Sequence, residues 1–193
     1  MPEQTSQTGS SCNPEDKKKA LKPINLALQG GGAHGAYTWG VMDRLLEDGR
    51  LDIEAISATS AGAMNAVVFA YGASIGGHEG ARAKLEEFWS AVSHAGSLYS
   101  PVQPSIFEKL FGVQNIDYSP TYQMFEMISR VFSPYQLNPL NFNPLKDLLE
   151  KIVDFEALQK CQHSTRLHLS ATNVRTGKIR IFHSHEITSD VVM

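Results

Sequence analysis

One serine constrains this chain more than any other residue, because it lies where a short apolar strand gives way to an alanine-rich helix. Ser60 falls within the run ISATSAGAMN of residues 56–65. Its neighbours are all small: Ala58, Thr59, Ala61 and Gly62. A strand-to-helix turn is strained and points the serine oxygen away from both elements, and larger neighbours would collide there. The pattern predicts a nucleophile elbow with Ser60 as its reactive hydroxyl.

A glycine-rich loop precedes this elbow. The run GGGAHG of residues 30–35 follows the apolar strand Ile24–Leu28 and comes before a predicted helix. Glycines allow backbone N–H groups to turn toward a ligand oxygen, and the dipole of the following helix favours negative charge. An acyl-transfer enzyme needs such donors for the oxyanion of its transition state. The predicted oxyanion hole comprises Gly30, Gly31, Gly32, Ala33 and Gly35.

The order of the predicted elements indicates the fold class. A strand, the glycine loop, a helix, a second strand (residues 53–58), the elbow and its helix follow one another, and a hairpin around residues 173–178 comes late. With 193 residues, of which 42% are hydrophobic, the chain can bury one sizeable core. This order favours an α/β fold with a largely parallel sheet, helices on both faces and ligands at the carboxyl ends of the strands.

Two segments depart from this pattern. Residues 1–22 are polar and predict a disordered N-terminal tail, which leaves residues 23–193 as one domain. Within that domain, residues 97–144 alternate prolines with short apolar pieces rich in phenylalanine, and such a segment cannot form one long regular element. We expect it either to cap the active site with an apolar lining suited to acyl chains, or to form an irregular insertion with a small core of its own.

Composition and charge exclude several classes of partner and ligand. A net charge of −3 without a basic stripe argues against a nucleic-acid surface. The N-terminal residues contain no apolar segment, so neither a signal peptide nor a membrane anchor is predicted and a cytoplasmic protein is expected.

His183 and His185 alternate on a strand but have no further ligands at a metal-site spacing. No metal or cofactor is therefore predicted, and the oligomeric state is left open.

The glycine loop also fits a second motif. Gly30, Gly32 and Gly35 match G-x-G-x-x-G, the fingerprint of dinucleotide-binding domains. Such a site needs an acidic residue at the far end of the second strand to bind a ribose. Here Asp52 and Glu54 lie at the start of that strand instead. A dinucleotide-binding domain is therefore the less favoured alternative.

Taken together, GGGAHG after the first strand and TSAG at the elbow resemble the patatin-like phospholipases, especially their bacterial members. The likeness extends over residues 24–193. It implies a three-layer α/β/α fold and a lipid acyl hydrolase, of phospholipase A or esterase type, that uses a serine-aspartate dyad without metal or cofactor. It further implies that Ser60 attacks the ester carbonyl while the amides of residues 31–33 hold the oxyanion. Lipid or phospholipid substrates and transient contact with a membrane surface follow from the same resemblance.

The chain departs from the family pattern at three places. Ala58 stands where the family usually has the first glycine of G-x-S-x-G, and alanine fits there unless the backbone needs a positive φ. His34 replaces the arginine or lysine that is common in the glycine loop. The family's dyad aspartate comes in a late Asp-Gly-Gly or Asp-Gly-Ala motif, whereas the only Asp-Gly here is Asp48-Gly49, at a predicted helix end.

The missing aspartate motif leaves two expectations. In the first, the chain is the N-terminal part of the hydrolase domain, its fold is incomplete at the C-terminus, and the dyad aspartate lies beyond residue 193. In the second, the chain is a catalytically inactive lipid-binding module of the same fold. An Asp-Gly-Gly or Asp-Gly-Ala motif downstream of residue 193 would favour the enzyme.

Overall fold

Four strands form the sheet that carries the site. The computed structural model describes residues 21–99, 143–160 and 165–193, without the side chains of residues 97–99. The strands are β1 (Lys22–Leu28), β2 (Leu51–Ala58), β3 (Arg166–Thr172) and β4 (Ile179–His183). The helices are α1 (Gly35–Asp48), α2 (Ala61–Tyr99), α3 (Pro144–Ile152), α4 (Phe155–Lys160) and α5 (Ser189–Val192), with short 3-10 turns at Gly32–His34 and Ser184–Glu186.

The sheet is mostly parallel and has the order β1-β2-β3-β4. The first three strands pair in parallel, and β3 and β4 form an antiparallel hairpin. Ala58, the last residue of β2, lies between Leu28 of β1 and Leu169 of β3. The carboxyl ends of the parallel strands therefore meet at one edge, where β1 leads into the glycine loop and β2 into the elbow. The predictions of a largely parallel α/β fold and of the late hairpin are confirmed.

The core lies on one face of this sheet. Ile56 and Ala58 of β2 are buried, as are their partners Leu167 and Leu169 of β3. Helices α1, α2 and α3 contribute further buried side chains: Met42, Leu46, Val67, Phe69, Leu85, Phe88 and Leu149. Ser57, which lies between Ile56 and Ala58, is exposed. This alternation is typical of a strand with one covered face.

Helix α2 folds back on itself at a glycine pair. Gly76 and Gly77 have non-helical backbone angles, and Gly77 has a φ of 60°. A straight helix would separate Asn65 from Trp89 by about 36 Å, yet their side chains are joined by a hydrogen bond of 2.8 Å. The first half of α2 and the second half up to Trp89 therefore lie against each other as a helical hairpin.

The position of the kink refines the sequence prediction. The sequence predicts that the elbow helix ends near Tyr71-Gly72 and that Gly76, Gly77 and Gly80 mark a break, and the structure confines the break to Gly76–Gly77. Gly72 and Gly80 instead lie within the two helical halves. A Cβ at Gly72 would lie 2.5 Å from the carbonyl oxygen of Gly80, so glycine is needed there for close backbone approach rather than for a break.

The predicted tail and cap lie mostly outside the described residues, so the domain boundaries stay predictions. Residues 1–20 of the predicted tail lie outside the described residues, and β1 begins at Lys22, one residue before the predicted start of the domain. Residues 100–142 of the predicted cap also lie outside them, and the ends of that segment belong to α2 and α3. Packing of Cα atoms divides the chain into two units, Met1–Trp89 with Lys146–Met193 and Ser90–Leu145. Every site residue discussed below belongs to the first unit.

Candidate active site

Ser60 occupies a strained turn between β2 and α2. Its φ of 52° is the only positive value found at a non-glycine residue in the described ranges. The left-handed region costs a residue with a Cβ about 1–2 kcal/mol. The turn is closed by hydrogen bonds from the Gly62 N–H to the Thr59 carbonyl (3.0 Å) and from the Ala63 N–H to the Ser60 carbonyl (2.8 Å). Ser60 is exposed at this strained turn.

The small residues predicted for the elbow have identifiable neighbours. A Cβ at Gly62 would lie 2.5 Å from the carbonyl oxygen of Leu28, so no larger residue fits while β1 stays in place. Ala61 is 4% exposed and begins α2. Ala58 is buried at the end of β2 and has no positive φ. Alanine therefore fits at the position where the family usually has glycine.

The elbow is also braced by β3. The Thr59 hydroxyl donates to the Ser170 carbonyl at 3.2 Å, and the Ser170 hydroxyl donates to the Ala58 carbonyl at 3.4 Å. Both residues that precede Ser60 are thus tied to the neighbouring strand. Sequence analysis did not identify Ser170, because only the register of β2 and β3 brings it to the elbow.

The glycine loop packs directly against the serine. A Cβ at Gly30 would lie 2.9 Å from the Ser60 Cβ and 3.5 Å from its Oγ. Gly32 has a φ of 55°, which an L side chain rarely adopts. The His34 N–H and its Nδ1 both lie 3.1 Å from the Gly31 carbonyl oxygen, which closes the loop on itself. The structure brings the two predicted motifs together at the carboxyl edge of the sheet.

The loop leaves backbone donors free. In the described part of the chain, the N–H groups of Gly31, Gly32 and Ala33 donate to no carbonyl, and all three residues are exposed. The Gly35 N–H, by contrast, donates to the Gly32 carbonyl. Gly35 has another reason to be glycine: a Cβ there would lie 2.8 Å from the Trp89 ring and 3.0 Å from the Ala61 Cβ. Packing thus accounts for glycine at position 35, and the Gly35 N–H is not among the free donors of the loop.

No base contacts the serine within these residues. The Ser60 hydroxyl makes no hydrogen bond to any residue in the described ranges, and the His34 ring is bonded to its own loop. His183 pairs across the hairpin with His168, with 3.0 Å between their Nδ1 atoms, and its ring is stacked on that of His185 at 6.3 Å. The described residues contain no cluster of three or more potential metal ligands. The sequence pattern relates His183 only to His185, because the register between β3 and β4, which brings His168 opposite His183, cannot be determined from it.

Charged groups support the scaffold away from the serine. The Arg82 guanidinium donates to the Asp43 carboxylate at 2.8 Å, linking the second half of α2 to α1. That hydrogen bond raises the pKa of Arg82 above its ordinary value. Near the end of β4, the Glu186 carboxylate accepts from the His183 N–H and from Arg180, and both bonds lower the pKa of Glu186.

Among the described helices, none has the length and hydropathy that a membrane span requires.

Two solved structures are similar to this chain. A chain of the heterodimeric complex ExoU-SpcU, from the type III secretion system of Pseudomonas aeruginosa, is 20% identical with a TM-score of 0.42, over 88% of this chain and 35% of that chain. A chain of the complex of full-length SpcU with full-length ExoU, from the same system, is 21% identical with a TM-score of 0.37. That similarity covers 84% of this chain and 35% of the other chain. This chain thus spans 35% of the length of those chains.

The family comparison covers most of the sequence. No curated protein matches the chain. The family model for patatin-like phospholipase matches residues 26–192. This range includes the glycine loop, the elbow, strands β2, β3 and β4, and all of β1 except its first residues. The matched family is a phospholipase family and not a dinucleotide-binding one. The chain belongs to the patatin-like phospholipase family.

Proposed function

We propose that this chain carries the nucleophile and the oxyanion hole of a lipid acyl hydrolase of the phospholipase A or esterase type. One observation carries the proposal: Ser60 is held at a φ of 52° with its side chain against Gly30, next to a loop whose N–H groups are free. Strained backbone at an exposed serine is typical of a nucleophile elbow. Membership of the patatin-like phospholipase family supports a lipid ester as the substrate.

The proposed reaction has two steps. The Ser60 Oγ attacks the carbonyl carbon of a lipid ester as its proton passes to a base, and the N–H groups of residues 31–33 stabilise the oxyanion. The tetrahedral intermediate then collapses, the ester C–O bond breaks, and the alcohol leaves with a proton from the base. Water next attacks the acyl-serine in the same way, releasing the fatty acid and restoring the hydroxyl. No metal or cofactor takes part in this scheme.

The base is the part of the scheme that these residues do not supply. A serine hydroxyl is a weak nucleophile until a neighbouring group removes its proton. No described residue hydrogen-bonds to the Ser60 hydroxyl, and the sequence has no Asp-Gly-Gly or Asp-Gly-Ala motif of the kind that carries the dyad aspartate in the family. We therefore propose that an aspartate beyond residue 193 completes the dyad. The protein would act in the cytoplasm, in transient contact with a membrane surface that presents its lipid substrate.

A second function shares the same fold. A catalytically inactive lipid-binding module would keep the loop and the elbow but would have no base. The absence of a hydrogen-bond partner for the Ser60 hydroxyl among the described residues favours this alternative. The two functions differ in turnover, because only the hydrolase releases fatty acid.

Hydrolysis of short-chain aryl esters by the full-length protein tests the proposal. We expect activity in the parent and in Ser57→Ala, and a loss of several orders of magnitude in Ser60→Ala. Ser57 is a matched control, since it is an exposed serine three residues earlier, on β2, and its φ is not positive. Activity that survives Ser60→Ala would overturn the assignment of the nucleophile. Lipid binding without turnover in the parent would favour the inactive module.

A further inference from the structure

A buried side-chain bridge connects the nucleophile helix to the glycine loop. Asn65 is 0% exposed and lies five residues after Ser60 on α2. Its Nδ2 donates to the Gly35 carbonyl at 2.9 Å, and its Oδ1 accepts from the Trp89 Nε1 at 2.8 Å. The Asn65 amide thus joins three segments that are distant in sequence: the end of the glycine loop and the two halves of α2.

The chemistry of the two partners fixes the orientation of that amide. The Trp89 indole N–H is only a donor, so it must face the amide oxygen, and the Gly35 carbonyl is only an acceptor, so it must face the amide nitrogen. Of the shorter side chains, asparagine alone offers both groups on one planar head. Aspartate would retain the bond from Trp89 but would place a carboxylate oxygen against the Gly35 carbonyl.

The bridge also fixes a close contact. The Trp89 ring leaves no room for a Cβ at Gly35, because such an atom would lie 2.8 Å from it. The carbonyl of Gly35 is thus bonded to Asn65 while its Cα packs against the ring that Asn65 orients. Both interactions set the distance between the last residue of the loop and the helix that begins just after Ser60.

We propose that Asn65 is a positioning residue, which holds the N–H donors of the glycine loop in register with Ser60 through the Gly35 carbonyl. This inference rests on the proposed function, since it concerns the geometry of the same oxyanion hole. Asn65 itself does not touch the reacting atoms. Displacement of catalytic donors by about 1 Å is enough to reduce a rate by about 10²-fold, so a buried bridge of this kind controls turnover.

Asn65→Asp in the full-length protein tests this role, with Asn25→Asp as the matched control. Asn25 is exposed on β1, so the same chemical change there should leave the kinetics and the loop unaltered. For Asn65→Asp we expect kcat, counted per serine labelled by a fluorophosphonate, to fall by about 10²-fold with little change in KM. The oxyanion forms only in the transition state, so its donors affect kcat rather than substrate binding. A merely structural role would reduce the amount of folded protein but leave kcat per labelled serine unchanged.

Hydrogen exchange of the peptide that covers residues 29–36 gives a readout that needs no activity. We expect faster exchange in Asn65→Asp than in the parent or in Asn25→Asp, while the peptides of β2 exchange as before. Trp89→Phe retains the bond to Gly35 and should accelerate exchange of the loop less. Unchanged loop exchange in Asn65→Asp, or a parental kcat, would overturn the inference. If the parent hydrolyses no ester, the proposed function fails, whereas the exchange data still decide whether Asn65 positions the loop.

Discussion

Replacing Gly35 with alanine should destabilise the protein by about 1–3 kcal/mol, the usual cost of inserting an atom into a packed interior. The backbone is not the obstacle, because Gly35 has a φ of −56° and a ψ of −25°, which alanine adopts readily. The obstacle is steric: the new Cβ would lie 2.8 Å from the Trp89 ring and 3.0 Å from the Ala61 Cβ. Trp89 cannot move away without breaking its 2.8 Å bond to Asn65.

Urea unfolding measures this cost, and Gly40→Ala is the matched control. Gly40 lies on the same helix and is exposed, and a Cβ added there would have no neighbouring atom within 4 Å outside its own helical turn. The control should be more stable than the parent by about 0.5–1 kcal/mol, since alanine is the better helix former. The two substitutions should thus shift the urea midpoint in opposite directions.

A double-mutant cycle with Trp89→Phe identifies the clashing group. The smaller ring should relieve part of the contact, so Gly35→Ala should cost less in that background, by about 1 kcal/mol. The steric explanation fails if Gly35→Ala is as stable as Gly40→Ala. It fails equally if its cost is the same with tryptophan and with phenylalanine at position 89.

Three further predictions concern the elbow, the loop and the hairpin. Ser60→Gly should be more stable than Ser60→Ala by about 1 kcal/mol in urea unfolding, because glycine adopts a φ of 52° without strain; equal midpoints would contradict the strain. Gly32→Val should lower kcat by about 10²-fold, because a β-branched residue at a φ of 55° displaces the loop donors; an unchanged kcat would mean that the oxyanion is held elsewhere. The pKa of Glu186 is lowered from 4.5, so the stability that its carboxylate contributes is complete at neutral pH and is lost as the pH falls through that lowered pKa. The difference in Tm between the parent and Glu186→Gln should therefore shrink in acid, and a constant difference would refute this linkage.

Local patterns were sufficient to predict the elements and the two motifs. The elbow around Ser60, the glycine loop and the late hairpin each depend on a few consecutive residues whose backbone preferences are strong. Alanine was expected to fit at position 58 unless the backbone needed a positive φ, and Ala58 has none. In each case the residues that determine the structure are neighbours in the chain.

Long-range packing was not predictable in this way. Asn65, Gly35 and Trp89 meet only because α2 reverses at Gly76–Gly77, and no sequence pattern specifies the angle of that turn. The same limit applies to Gly35, whose place in the glycine run does not reveal that its N–H is bonded within the loop and that its Cα packs against Trp89. Glycine has several structural uses, and only the neighbouring atoms distinguish them.

Ser170 illustrates the same limit within the sheet. It lies in the sequence far from the elbow, and its two hydrogen bonds to Ala58 and Thr59 follow from the register between β2 and β3. A parallel pairing has no short turn that would fix this register locally. The brace was therefore visible only in the folded chain.

Site mapping of a fluorophosphonate adduct tests the central claim most directly. The full-length protein would be treated with the probe, digested, and analysed by mass spectrometry over the peptide that contains both Ser57 and Ser60. We expect a single adduct on Ser60, which disappears in Ser60→Ala and persists in Ser57→Ala, because of these two serines Ser60 is the one that lies beside the free donors of the glycine loop. An adduct on another serine, or labelling that persists in Ser60→Ala, would contradict the assignment of Ser60 as the nucleophile.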